Sequence, residues 1–132
     1  MRILLLLSGC LWLTACGSSP SVQSVTMGAY TVSFSHTPDP LQVGSEAQLE
    51  VRVADKQGRE LRECTTGFRQ FMPGMEMEHD HTVINLPISD NGAYQGTSKQ
   101  FSMGGDWVLE VTINCGDGPV SHAFEYTLQW PE

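Results

Sequence analysis

Hydrophobic and polar residues alternate along much of the chain from Val25 onward, with the two-residue period of a β-strand. Residues 47–53 carry the pattern clearly, because Leu49, Val51 and Val53 share one face and polar residues separate them. Successive side chains of a strand point to opposite faces, so we predict that this apolar face is buried. The sequence after Val25 contains no convincing stripe with the period of an amphipathic helix.

About seven such extended segments follow one another at intervals of roughly ten residues. They cover residues 30–34, 47–53, 61–71, 81–88, 93–101, 107–115 and 121–130. Turn-forming residues separate them, and Asp90-Asn91-Gly92 is a strong turn signal. We therefore predict an all-β fold, a single immunoglobulin-like antiparallel β-sandwich of about seven strands.

The segment 107–115 is predicted to form the centre of the core, because every second residue at its start is large and apolar. Its buried face is expected to carry Trp107, Leu109, Val111 and Ile113. The alternate residues are expected to face outward or toward a sheet edge, and they are Val108, Glu110, Thr112 and Asn114.

The N-terminus has the pattern of a bacterial lipoprotein signal. Arg2 is the only charged residue before an apolar segment that ends in Leu13-Thr14-Ala15-Cys16. This apolar segment is too short to cross a hydrocarbon core of about 30 Å, so we interpret it as a secretion signal. The Leu-Thr-Ala-Cys sequence resembles the lipobox of bacterial lipoproteins, in which the cysteine becomes the first mature residue and carries lipid. An ordinary signal peptide with an incidental cysteine is the alternative.

These features divide the chain into three parts. Residues 1–15 are the predicted signal peptide, residues 16–24 the lipidated cysteine and a flexible tether, and residues 25–132 one sandwich domain. Acyl chains on Cys16 would hold the domain stably at a membrane. We therefore predict a location in the cell envelope. Gly17 after the cysteine favours a periplasm-facing position on the outer membrane if the cell is Gram-negative.

Charge and motif content exclude several function classes. The formal net charge is −8, which makes nucleic acid and anionic lipid surfaces poor partners. The chain has no Gly-x-Ser-x-Gly, no phosphate-binding glycine loop and no His-Glu-x-x-His, so we predict that it is not an enzyme. His36 and His122 lie alone in the sequence and are expected to be surface residues or to have their hydrogen bonds satisfied.

Two cysteines, Cys64 and Cys115, are left in the predicted mature domain once Cys10 is removed and Cys16 is lipidated. An isolated pair in an oxidising compartment is expected to form a disulfide. Closing a loop of about fifty residues would remove denatured-state entropy equivalent to roughly 4 kcal/mol. The alternative is a pair of thiols that binds a soft metal.

The segment from Met72 to His81 contains three of the six methionines and two of the four histidines of the chain. Read as a strand, it has an anionic face of Glu76, Glu78 and Asp80. Its other face carries the candidate metal ligands Met75, Met77, His79 and His81. Thioether and imidazole groups together suit copper, above all Cu(I). The alternative is that the methionines fill the core and the histidines lie where the strand leaves it.

Three short motifs in the domain resemble those of the YtkA-like domain family, whose members are small envelope β-sandwiches related to FixH-type proteins. The motifs are Met72-Pro-Gly-Met75, Gly92-Ala-Tyr94 and Phe101-Ser-Met-Gly-Gly-Asp-Trp107. The resemblance extends over roughly residues 28–115. It departs from the family pattern before Trp107, where the glycine run is one residue longer, and a different turn is expected there.

The resemblance implies a fold and a cellular setting rather than a reaction. It also implies that Met72, Met75 and Met103 approach one another, either as core packing or as part of a copper site. Two functions stay open. The chain is either a lipid-anchored copper-binding protein that serves an envelope metal-handling partner, or an interaction and assembly module of an envelope complex that binds no metal.

Overall fold

The computed structural model describes residues 21–75 and 82–132, and the regular structure in these ranges is entirely β-strand. The strands are β1 (Gln23–Met27), β2 (Tyr30–Thr37), β3 (Gln48–Ala54), β4 (Thr65–Phe71), β5 (Ile84–Asn85), β6 (Tyr94–Thr97), β7 (Gly105–Asn114) and β8 (Pro119–Leu128). They confirm the predicted all-β fold, with eight strands in place of about seven. Among the described residues, no helix has the length and hydropathy needed to span a bilayer.

Two antiparallel sheets of four strands each make up the sandwich. One sheet has the order β1-β2-β3-β6, and the other has the order β5-β4-β7-β8. The chain crosses between the sheets after β3, after β5 and after β6. This alternation gives the Greek-key connectivity of immunoglobulin-like sandwiches.

Strand β1 was not predicted as a separate strand. It begins at Gln23, ahead of the predicted domain boundary at Val25, and pairs with β2 from Gln23 opposite Phe34 to Met27 opposite Tyr30. Most of its side chains are exposed because it lies at a sheet edge. Its apolar alternation is limited to Val25 and Met27, which is too short a pattern to predict a separate strand.

The core lies between the inner faces of the two sheets. The prediction for β7 is confirmed on its inner face, where Trp107, Leu109, Val111 and Ile113 are all buried. Val108 lies on the outer face as predicted, but it is only 6% exposed. Val108 stands opposite Phe71 of β4, which is itself buried, and opposite Glu125 of β8 on its other side. Strand β7 is flanked on both sides, so neighbours shield an outward apolar side chain.

A disulfide joins the start of β4 to the end of β7. The Cys64 and Cys115 sulfurs are bonded at 2.06 Å, and the neighbouring residues Thr65 and Asn114 are register partners. The segment before Cys64 is held by Tyr94, whose hydroxyl donates to the Leu61 carbonyl at 2.9 Å and accepts from the Cys64 amide at 2.9 Å. One end of the sandwich is therefore fixed both by a covalent bond and by a buried tyrosine.

Replacing both Cys64 and Cys115 by alanine is expected to lower the free energy of unfolding by about 4 kcal/mol, since the bond closes a loop with a sequence separation of 51 residues. Urea denaturation of the oxidised protein and of the double variant would measure the loss. The reduced wild-type protein should match the double variant. Equal midpoints for all three samples would contradict the prediction.

Candidate functional site

The methionine motifs meet at the end of the sandwich opposite the disulfide. We call this the methionine end and define it as residues 38–47, 72–75, 98–104 and 129–132. Strand β4 ends there at Phe71, and β7 begins there at Gly105, which lies opposite Leu128 near the end of the chain. The described N-terminal residues start at the same end, because Gln23 is the register partner of Phe34 near the end of β2.

Residues 72–75 form a tight turn directly after β4. The Met75 amide donates to the Met72 carbonyl at 3.1 Å, and Gly74 has a φ of 78°. Proline at the second position and a positive-φ glycine at the third are the requirements of a type II turn, and Pro73-Gly74 meets both. The turn separates the two methionines, with Met72 half-buried and Met75 58% exposed.

Met72 packs inward because it continues the alternation of the inner face of β4, on which Phe68 and Gln70 are buried. Its Cε atom lies 3.0 Å from where a Cβ atom on Gly105 would stand. The φ of Gly105 is 121°, which side-chain-bearing residues rarely adopt. Close approach and backbone geometry therefore both favour glycine under the Met72 side chain.

Met103 is also half-buried and packs against the core. The Trp107 indole N–H donates to the Met103 carbonyl at 2.9 Å, and the Trp107 ring meets Phe101 edge to face at 5.2 Å. Gly104 lies beside the indole of Trp130, whose nearest atom is 2.7 Å from where a Cβ atom on Gly104 would stand. Trp130 itself is 62% exposed.

The loop before Met103 is fixed to both sheets. Gln70 is buried, and its side-chain amide donates to the Lys99 carbonyl at 3.1 Å and accepts from the Lys99 amide at 2.8 Å. The Ser98 hydroxyl accepts from the Ala47 amide at 2.8 Å. Phe101 exchanges backbone hydrogen bonds with residues 44 and 45. These bonds hold the loop rigidly across the end of the core.

Met72 packs beside Gly105, at the end of the loop that carries Met103, and both methionines are partly buried against the core. Met75 lies at the surface. The predicted ligands Met77, His79 and His81 fall outside the described residues, as does Cys16. Within residues 21–75 and 82–132, no group of three or more His, Cys, Asp or Glu side chains could hold a metal.

His36 was expected to lie at the surface or to have its hydrogen bonds satisfied, and the structure shows a buried ring with a hydrogen-bond partner. His36 is 5% exposed, its Nδ1 atom lies 2.8 Å from the Pro38 carbonyl oxygen, and its ring meets Tyr126 edge to face at 5.1 Å. Phe34 stacks on Phe124 at 4.7 Å beside this pair. The histidine is part of the core lining, and the apolar alternation of β2 that it continues is the signal that could have identified it.

Asp39 fixes the start of the described chain at the methionine end. The Ser21 hydroxyl and amide donate to Asp39 Oδ2 at 2.6 Å and 2.8 Å. The hydroxyl bond, followed by the amide bond, holds the pKa of the Asp39 carboxyl below its ordinary value. Burial raises the pKa of Tyr126, and the charge of Asp39 adds to the effect.

Comparison with known proteins gives one match. A family model described as YtkA-like matches residues 25–112, which is more than half of the chain. The matched range contains all three motifs, including the turn at Met72–Met75 and the loop at Met103. No curated protein matches the chain, and no solved structure matches it.

Alanine at Met72 is expected to lower the free energy of unfolding by roughly 2 kcal/mol, because it empties space between the core and Gly105. Alanine at Met75 is the matched control, and it should change stability by less than about 0.5 kcal/mol because the side chain is exposed. Urea denaturation of the two variants would test this. A loss at Met75 equal to that at Met72 would contradict the assigned roles.

Proposed function

The chain belongs to the YtkA-like family, and we propose that it works in the cell envelope as a lipid-anchored domain that binds copper or hands it on. The proposed ligands are Met75, the last residue of the turn, and Met77, His79 and His81 in the segment that follows it. The proposed ion is Cu(I), because thioether and imidazole ligands together suit this soft cation.

The exposure of Met75 is the observation that carries the proposal. A large apolar side chain with 58% of its surface exposed contributes little to packing, while the methionine at the other end of the same turn is half-buried. The turn thus presents one thioether to solvent directly before the sequence Glu76-Met-Glu-His-Asp-His81. A turn closed by a hydrogen bond directly before the proposed ligands would reduce the conformational entropy that metal binding must overcome.

Met72 and Met103 have a packing role in this proposal. Both were candidate ligands, but each is half-buried and packs against the core, and this packing accounts for its place without a metal. Cys64 and Cys115 are bonded to each other at the opposite end of the sandwich, so the thiol-pair alternative has no free thiolate to offer in the oxidised protein.

The sequence Leu13-Thr-Ala-Cys16 supports lipid attachment at Cys16 after removal of the preceding residues. Membership of the YtkA-like family supports the same envelope setting. Lipid on one cysteine would hold the domain at a membrane surface without a spanning segment. The outer membrane is the proposed location if the cell is Gram-negative, since Gly17 rather than aspartate follows the cysteine.

A metal-free interaction module is the second candidate function. Exposed Trp130 favours it, because a tryptophan with 62% of its surface in solvent is typical of a docking surface. In that function the domain would assemble with an envelope complex, and the methionines would be structural. The proposal of a copper site and this alternative differ in whether the domain binds copper.

The domain from Ser18 to Glu132 is expected to bind Cu(I) at submicromolar concentration in competition with a chelator, under a reductant that carries no thiol. Changing Met75, Met77, His79 and His81 to alanine should abolish this binding. Since histidine ligands must be neutral, affinity should weaken below about pH 6.

Two controls make the copper measurement specific. Changing Met72 and Met103 to leucine keeps apolar packing and should leave Cu(I) affinity unchanged. Changing Cys64 and Cys115 to alanine removes thiols that reduction could expose, and it should also leave affinity unchanged. Binding that survives the four-residue variant, or no binding at all, would refute the copper site and favour the interaction module.

Changing Cys16 to alanine is expected to abolish fatty-acid labelling, because the lipid acceptor is lost. The lipidated form should disappear from the membrane fraction and be replaced by soluble protein or by uncleaved precursor. Metabolic labelling with a fatty acid, followed by fractionation, would measure this. The variant with Cys10 changed to alanine is the control and should remain labelled. Label retained without Cys16 would contradict the proposed anchor.

A further inference from the structure

We propose that the methionine end of the sandwich lies against the uncharged lipid surface of the membrane that anchors the chain. This inference rests on the proposed lipid anchor at Cys16. It deepens the proposed function, because it fixes which end of the domain faces the bilayer and therefore where Met75 stands.

The first argument is the length of chain between the anchor and the folded domain. Ser21 is held to Asp39 by two hydrogen bonds, so the domain is fixed from Ser21 onward. Only five residue steps separate Cys16 from Ser21. Fully extended, they span at most about 18 Å. The point where the chain enters the sandwich must stay within that distance of the lipid.

The second argument is the length of the sandwich itself. Strands β7 and β8 each contain 10 residues and run from one end of the body to the other. At a rise of about 3.3 Å per residue they cover roughly 30 Å. A tether of at most about 18 Å that starts at the methionine end therefore cannot let the disulfide end face the membrane while the methionine end points away from it.

The third argument is the distribution of exposed apolar side chains. The described residues expose five large hydrophobic side chains, and Met75 and Trp130 lie at the methionine end. Val22, a third member of this set, is the residue after Ser21, where the chain enters that end. A cleft of about 330 Å³ lies beside Trp130, with Pro40, Leu41, Val43 and Pro131 among its lining residues. Tryptophan is enriched where proteins meet the membrane interface, because one part of its ring system is apolar and its N–H is polar.

The disulfide end carries exposed ion pairs, whereas the charged residues of the methionine end are Asp39, Glu46, Lys99 and Glu132. Arg59 pairs with Asp55 at 3.0 Å and Arg62 pairs with Glu60 at 3.3 Å, and both arginines are more than half exposed. Removing these groups from water would cost free energy. At the methionine end, the Asp39 carboxylate already accepts two hydrogen bonds from Ser21. Because the chain has a formal net charge of −8, an anionic lipid surface would repel it, so the proposed lipid surface is uncharged overall.

This orientation limits how the proposed copper site could exchange its ion. The turn at Met72–Met75 would stand close to the lipid surface rather than facing open periplasm. A partner that delivers or accepts Cu(I) would then need a metal-binding site that is accessible at the membrane surface. A partner that diffuses freely in solution would have to approach between the domain and the lipid.

Tryptophan quenching by brominated lipid tests the orientation in the full lipidated chain. After removal of the signal the chain has two tryptophans, Trp107 in the core and exposed Trp130. The protein would be reconstituted into phosphatidylcholine vesicles with or without bromine on the acyl chains near the headgroup. We expect brominated vesicles to cause a loss of emission, and Trp130→Phe to abolish that loss.

A reporter at the other end is the matched control. In the double variant Trp130→Phe and Gln57→Trp, the second tryptophan stands in the exposed turn after β3, at the disulfide end. Its emission should be the same in brominated and plain vesicles. Flotation of each variant with the vesicles, measured on the same samples, reports the lipid anchor independently of orientation.

The outcomes separate the two proposals. A chain that does not float with vesicles overturns the lipid anchor and the orientation with it. A chain that floats without selective quenching of Trp130 overturns the orientation alone and leaves the anchor intact. Shielding of Trp130 from aqueous acrylamide in native membranes, without quenching in pure lipid, would mean that a membrane protein covers this end, and it would also overturn the lipid contact.

Discussion

The antiparallel pairing of β4 with β7 is the constraint on which the rest of this structure depends. Seven register pairs join the two strands, from Thr65 opposite Asn114 to Phe71 opposite Val108. At one end this register places Cys64 and Cys115 within bonding distance. At the other end it brings the chain after Phe71 to Gly105, where Met72 packs. A one-residue slip would exchange the inner and outer faces and would separate both contacts.

The same ladder divides the methionines by role. Because β4 keeps its alternation to its last residue, Met72 follows on the inner side, and the type II turn at Pro73-Gly74 then turns Met75 outward. Met103 is held by its carbonyl to the Trp107 indole. Packing explains Met72 and Met103, whereas the exposure of Met75 leaves its thioether available for the metal binding that we propose.

The two ends of the sandwich differ in a way that suits a tethered protein. The disulfide end carries exposed ion pairs and a covalent bond, whereas the methionine end holds Ser21, the exposed Trp130 and the turn before the segment with the proposed ligands. In a Greek-key sandwich the chain termini and connecting loops can gather at one end while the opposite end carries the remaining connections. Anchoring and metal exchange would then be functions of the same surface.

Much of this fold followed from sequence alone, because the period of a strand is a local property. The alternation over residues 107–113 predicted the buried face of β7, and the Met-Pro-Gly-Met sequence contained the residues that a type II turn requires. The three motifs, each a short run of neighbouring residues, were enough to indicate the YtkA-like family. The sequence could not show which strands would become neighbours. Burial of Val108, the pairing of exposed β1 and the different exposures of Met72 and Met75 depend on contacts between distant segments, and those contacts exist only once the two sheets have packed.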